Sequence, residues 1–206
     1  WELLAPRRRL TASKLCRWGG NLTIVILNTV IARLFFMGGV VAVAAMAQER
    51  GWGLLNWVEG PVWLEFGLAV VALDFIIYCQ HQVFHLVPIL WRFHMMHHSD
   101  LDLDVSSGVR FHPVEIVIST MVKAAAVLAL GVAPFAVVAF EIVLNSTALF
   151  NHSNVQMPVS LDRVFRWFVV TPDMHRIHHS VDVRETNSNY GFNVPWWDRL
   201  FGTYCA

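Results

Sequence analysis

Four long apolar runs limit what this chain can become: about Asn21–Ala47, Pro61–Gln80, Val114–Leu130 and Pro134–Phe150. Each approaches the roughly 20 residues that carry a helix across the hydrocarbon core of a bilayer. A backbone in lipid finds no water to bond, so a spanning segment must close its hydrogen bonds internally, as a helix does. Composition agrees, since 56% of the 206 residues are hydrophobic and only 15% are charged. The formal net charge is zero, so nothing points to nucleic acid or another polyanion. Cys16, Cys79 and Cys205 are too few and too scattered for a disulfide framework or a thiolate metal site. The last two runs are joined only by Gly131-Val132-Ala133 and read as a tight helical hairpin.

Lysine and arginine set the expected orientation. Arg7, Arg8, Arg9, Lys14 and Arg17 precede the first run, and Arg92 and Arg110 lie between the second and third. Arg163, Arg166, Arg176, Arg184 and Arg199 follow the fourth, whereas the opposite side carries only Arg50. Both termini are therefore expected in the cytoplasm, and all ten histidines with them. Trp18, Trp52, Trp57, Trp63, Trp91, Trp167, Trp196 and Trp197 flank the runs, as interfacial aromatic belts do. Segments Leu86–Arg92 and Leu161–Val170 mix aromatic, aliphatic and basic residues and read as interfacial. Charges inside the runs need partners. Lys123 and Glu141 are equidistant from Val132 and are expected to pair, while Arg33 faces Asp74 or Glu65, or reaches for water.

The histidines carry the chemistry. Eight fall in three clusters, His81-x-x-x-His85, His94-x-x-His97-His98 and His175-x-x-His178-His179, and His112 and His152 lie between them. Positions i, i+3 and i+4 share a helix face, so each cluster can aim its rings at a common point. Imidazole suits iron, zinc and copper, and eight rings exceed one ion, which makes a two-metal site the economical reading. His152 ends the fourth run at the depth of the first cluster and is expected to join the ligands. His112 starts the third run before Pro113, as a helix cap, a supporting group or a ligand. Asp74 sits about 10 Å deeper than His81 on the same face, positioned to orient a ligand through Tyr78 or water. The first cluster, His-Gln-Val-Phe-His, lacks the glutamate of a zinc hydrolase helix. A histidine-rich metal pair above hydrophobic helices suits oxygen activation against a lipid C–H bond, and iron has the redox chemistry that zinc lacks.

Several stretches, in order, carry a specific resemblance. They are Asp74-Phe-Ile-Ile-Tyr-Cys-Gln-His-Gln-Val-Phe-His85, Leu90-Trp-Arg-Phe-His-Met-Met-His-His-Ser99, Arg110-Phe-His-Pro-Val-Glu115, Asn151-His-Ser-Asn154, Thr171-Pro-Asp-Met-His-Arg-Ile-His-His-Ser180, Asn189-Tyr-Gly191 and Trp197-Asp-Arg-Leu-Phe-Gly-Thr-Tyr204. The chain resembles the fatty acid hydroxylase/sterol desaturase superfamily of membrane di-iron oxygenases. The resemblance implies an all-α membrane protein, four transmembrane helices beneath a cytoplasmic histidine-rich helical cap. The length suggests one integral-membrane domain over residues 1–206, with an N-terminal segment and first span over 1–60, and the resemblance covers the catalytic region over 61–204. The implied ligands of two iron ions are His81, His85, His94, His97, His98, His175, His178 and His179, with His152 as a ninth. Asp74, His112, Asn151, Asp173 and Asn189 are the candidate supporting residues, and Asn154 a further one. Helix capping and turn formation explain the asparagines and Asp173 equally well. The implied reaction is reductive O2 activation followed by hydrogen removal from a lipid chain: sterol, fatty acyl or alkylglycerol-like. Either hydroxylation or desaturation satisfies it, with electrons from a separate reductase, ferredoxin or cytochrome. Many relatives carry Arg after the first histidine of the first cluster, where this chain has Gln82.

Two other classes compete. A metal transporter or sensor would line a path through the bilayer with polar groups, whereas these histidines stop at one surface. A membrane zinc hydrolase could use the same ligands, and zinc can replace iron during purification. The chain begins at Trp1 and ends abruptly at Ala206, which reads as a fragment, and no cleavable signal peptide is evident. A bacterial inner membrane is favoured over endoplasmic reticulum.

Overall fold

The computed structural model describes residues 1–57 and 60–206. Six helices build the body: α1 (Lys14–Phe35), α2 (Gly39–Glu49), α3 (Val62–Leu86), α4 (Pro88–His98), α5 (Pro113–Leu130) and α6 (Pro134–Asn151). Four short ones follow: α7 (Val159–Phe165), α8 (Pro172–His178), α9 (Val183–Thr186) and α10 (Trp196–Phe201). Among the described residues the only extended pairing is an isolated bridge between Pro6 and Val155. Proline occupies the first turn of α4, α5, α6 and α8, where its missing N–H costs nothing and its fixed φ starts the helix.

Four segments are long and apolar enough to cross a membrane: Lys14–Trp57, Val62–Leu86, Pro113–Leu130 and Pro134–Asn151. The first departs from the single span expected over Asn21–Ala47. It starts earlier, at Lys14, and breaks between Phe35 and Gly39, where Gly38 and Gly39 take φ of 82° and 65°. Left-handed backbone of this kind is cheap only for glycine, and it interrupts the helical ladder although the sequence stays apolar across it. The two pieces pack in turn along α5. Asn28 Nδ2 donates to the Phe111 carbonyl just before α5 begins, at 2.8 Å. Beyond the other end of α5, a Cβ on Gly53 would lie 2.1 Å from the Gly131 nitrogen, so two backbones touch there. Gly131, with φ of 70°, closes α5 and turns the hairpin into α6.

Val40, Ala44, Ala69, Leu73, Ile77, Val127, Ala136, Val137 and Phe140 interlock as the core of the bundle. Ile26, Val30, Leu34, Val71, Met121, Val138 and Ile142 point outward and are exposed, the arrangement a lipid-facing surface requires. Leu161, Val164, Phe165, Trp167 and Phe168 form a second exposed apolar strip in the segment read as interfacial. The N-terminal arm binds the cap together. Arg7 N donates to the Asn154 carbonyl and Gln156 N to the Ala5 carbonyl, while Asp102 accepts from Thr11 and Ala12. Arg17 lies buried between Asp100 (2.8 Å) and Asp104 (2.7 Å), fixing the loop that leads into α5.

Lys123 Nζ and Glu141 Oε1 meet at 2.5 Å, as their symmetric distances from the hairpin centre require. Arg33 makes neither expected pairing. Asp74 Oδ2 accepts from Trp197 Nε1 at 2.7 Å, and Glu65 lies in a crevice with Gln48 and Asn56. Among the described residues Arg33 has no carboxylate partner. Replacing Lys123 by Met leaves Glu141 unpaired and should lower the free energy of unfolding by on the order of 1–3 kcal/mol. Replacing Glu141 by Leu as well should recover part of that loss in denaturant titrations of the detergent-solubilised protein.

Candidate metal centre

Three helices and one helix end deliver nine imidazoles to one end of the bundle. His81 and His85 lie in the last turns of α3, His94, His97 and His98 at the end of α4, and His152 just past α6. His175 and His178 belong to α8, and His179 follows them. The rings sort into two groups, His81, His85, His94, His98 and His178 in one and His97, His152, His175 and His179 in the other. Within each group one nitrogen per ring lies within 4.8 Å of all the others. Helical period explains the sorting. On α4 the i, i+4 pair His94/His98 enters one group and His97 the other. Around α8 the i, i+4 pair His175/His179 enters the second group and His178 the first. The second and third clusters therefore each serve both groups, where one shared focus per cluster was expected, while His81 and His85 stay together in the first group.

Hydrogen bonds fix which ring nitrogen carries the proton. His81 Nδ1 donates to the Tyr190 carbonyl (2.8 Å), His178 Nδ1 to that of Ser188 (2.7 Å) and His97 Nδ1 to that of Arg110 (3.2 Å). His152 Nδ1 faces the Ala148 carbonyl (2.7 Å) and Asn151 Oδ1 (2.6 Å), and His94 Nδ1 faces the Glu115 carboxylate (2.7 Å). A carbonyl only accepts, so the proton of His81, His97, His152 and His178 sits on Nδ1 and Nε2 of each neutral ring keeps its lone pair. Yet Nε2 of His81 lies 3.1 Å from those of both His94 and His178, and Nε2 of His152 lies 3.0 Å from that of His97. Lone pairs at that range repel unless a cation lies between them. Donors sharing one ion at about 2.1 Å have such separations.

Both nitrogens of His85 and of His179 are buried without a protein partner, as are Nδ1 of His98 and His175. Buried polar atoms of this kind call for a ligand. Burial, reinforced by neighbouring histidines, holds His94, His97, His98, His175, His178 and His179 well below the ordinary imidazole pKa. Burial pushes His152 down to about 4. The rings are therefore neutral at pH 7, the form that binds metal. Nine imidazoles without a thiolate fit a borderline metal such as iron, and five rings in one group exceed the four ligands of a structural zinc site.

The supporting candidates separate. Asn151 meets the His152 ring and also donates to the Phe192 carbonyl (3.2 Å), so it positions that ring. His112 belongs to neither group; it caps α5 by accepting from Val114 N and packs against Phe93. Asp74 holds Trp197 and does not reach His81 through Tyr78, whose hydroxyl bonds Thr203. Asp173 pairs with Arg7 (3.1 Å) and Arg176 (2.5 Å) at the surface. Asn189, at φ of 51°, ties Met174 to Cys205, and Asn154 grips Arg8 of the N-terminal arm. Glu115 went unrecognised in the sequence, although it is buried and holds His94 directly. So did Phe111, stacked on His97 with centroids 4.4 Å apart, and Gly108, where a Cβ would lie 2.7 Å from the Ala148 carbonyl and 3.3 Å from the His152 ring.

A pH dependence follows for the metal-free protein. Unfolded histidine titrates near 6.5, whereas folded His152 does so near 4 and the six rings above lie well below an ordinary imidazole. Below about pH 6.5 the unfolded chain binds more protons, so stability is full above that value and falls as pH drops toward 4. The denaturation midpoint should decline steeply between pH 7 and 5, and an unchanged midpoint would contradict the burial of neutral rings.

The chain is similar to proteins of known activity over most of its length. An ornithine lipid hydroxylase of Rhizobium tropici is 36% identical over 148 residues, covering 71% of this chain and 43% of the relative. A fatty acid hydroxylase of a Lecanicillium species is 30% identical, covering 70% of this chain and 43% of the relative. An alkylglycerol monooxygenase of Xenopus tropicalis is 29% identical, covering 69% and 30%. The chain thus spans less than half the length of these relatives. No solved structure matches it. The family model described as fatty acid hydroxylase matches residues 66–203, which take in every histidine discussed above, and the chain belongs to that family.

Proposed function

We propose that this chain is the catalytic region of an O2-dependent di-iron oxidoreductase that hydroxylates a C–H bond of a membrane lipid. The opposed Nε2 lone pairs carry the reading, because they demand cations and nitrogen donors alone surround them. Hydroxylation is favoured over desaturation because the relatives are named hydroxylases and monooxygenases. His81, His85, His94, His98 and His178 would hold one iron, and His97, His152, His175 and His179 the other. Bound iron supplies the redox chemistry that an unactivated C–H bond needs.

The residues of the chain do the rest. His81 and His94 line one end of a cavity of about 670 Å³ that extends among α1, α3, α5 and α6. Ile77, Phe84, Ile116, Leu144 and Phe192 give its walls a mostly apolar lining, with Gln80, Ser119 and Thr120 among them, which suits an alkyl chain. Glu115 holds the His94 ring through Nδ1, so that Nε2 faces the other imidazoles. Hydroxylation consumes O2, two electrons and two protons and releases water with the alcohol. The electrons come from a separate reductase, ferredoxin or cytochrome. His98 and His179 are partly exposed, and Trp91 packs on His98 with centroids 5.2 Å apart, so this face suits such a donor. The arginine distribution supports a cytoplasmic position for that face, and the Rhizobium relative supports a bacterial inner membrane.

Incubating the iron-loaded protein with a chemical or enzymatic reductant, 18O2 and bacterial lipid extract should give one labelled oxygen per lipid product. His178→Ala should abolish the product and His112→Ala preserve it. Glu115→Ala should weaken metal binding about 10–100-fold. Unlabelled product, or activity that survives His178→Ala, would overturn the reading.

A further inference from the structure

The cavity that reaches the histidines has a second end with a different chemistry. Arg33 at the end of α1, Lys123 on α5 and Glu141 on α6 line it there, beside Phe36, Gly38 and Gly39 at the α1–α2 break. Lys123 lies eight residues along α5 from Glu115, about 12 Å at the helical rise per residue. Glu141 lies eleven residues before His152, about 16 Å by the same rise. The lysine and glutamate neutralise each other at 2.5 Å. Arg33 is exposed and has no carboxylate partner among the described residues, so this end of the cavity carries one uncompensated positive charge.

A lone cation at membrane depth is expensive and marks a functional position. An alkyl chain filling the cavity to this end would strip water from three charged groups and return no hydrogen bond. A guanidinium instead offers a planar fork of donors matched to a carboxylate or phosphate. Resting on the lipid-oxygenase reading above, we infer that the Arg33 end of the cavity binds the acidic group of the lipid substrate. The chain of that lipid runs along the mostly apolar walls to the histidines. The oxidised carbon therefore lies about 12–16 Å from the Lys123–Glu141 pair beside which the acid sits, along the chain and not beside the headgroup.

Binding to the purified protein as isolated, in non-ionic detergent and without a reductant, tests this without turnover. Hexadecanoate, hexadecyl phosphate, hexadecanol and methyl hexadecanoate would be compared by equilibrium dialysis, the first two distinguishing a carboxylate from a phosphate source. At least one acidic amphiphile should bind about tenfold more tightly than the neutral pair. Arg33→Gln should remove that preference while leaving hexadecanol binding unchanged, and Arg33→Lys should retain part of it. Equal binding of all four, or an equal loss for all four in Arg33→Gln, would overturn the inference. With iron-loaded protein, fragmentation mass spectrometry should place the new hydroxyl on carbons far from the acid. Oxidation beside the headgroup would overturn this inference and leave the oxygenase standing. Acid preference without oxidation of any lipid would retain the Arg33 site and overturn the oxygenase.

Discussion

The proton on Nδ1 is the constraint from which the rest of the centre follows. Backbone carbonyls of Tyr190, Ser188, Arg110 and Ala148 accept from His81, His178, His97 and His152 in turn, and the Glu115 carboxylate serves His94. Each bond orients a ring and empties the orbital of its other nitrogen toward the middle of the cluster. Inward lone pairs on His81, His97, His152 and His178 make a cage that favours positive charge at its centre. The desolvation that holds the cap imidazoles neutral also removes the protons that would otherwise compete with a metal. The same burial thus weakens the empty protein in acid and strengthens the filled one.

Holding such a cage requires a rigid cap, and the structure builds it from contacts distant in sequence. Arg17, buried between Asp100 and Asp104, braces the loop that delivers Arg110 and Phe111 to His97. Gly108 lets that loop touch α6 close to His152. Asp198 accepts from the backbone of Tyr190 and Gly191, which places the Tyr190 carbonyl on His81. Below the cage, the hairpin of α5 and α6 and the broken α1–α2 segment enclose the cavity. Its two ends differ in chemistry, imidazole at one and an ionic cluster at the other.

Much of this was legible in the sequence for physical reasons. Apolar run length gave the crossings, and the symmetry of Lys123 and Glu141 about a three-residue turn gave their pairing. The i, i+3 and i+4 spacings gathered the eight clustered imidazoles and the end of the fourth run supplied His152, although the division of the second and third clusters between two groups needed the helices set against one another. The break at Gly38-Gly39 was hidden because hydropathy is continuous across it. Asp74 looked like a partner for the histidines since it lies two turns below His81. Trp197, 123 residues away in sequence, takes it instead. The carbonyl acceptors leave no mark in a sequence, because every residue has one. Glu115 did leave a sign, a carboxylate in the first turn of an apolar helix next to Pro113, where burial without a partner would be costly.

Mössbauer spectroscopy with metal counting, on protein expressed in iron-57 medium, addresses the two-metal cage most directly. Two irons per folded chain in nitrogen-rich sites, converted from diferrous to diferric by O2 and lost in His178→Ala, is the expected result. Folded protein that takes up no iron, or that holds a single zinc resistant to exchange, would contradict it.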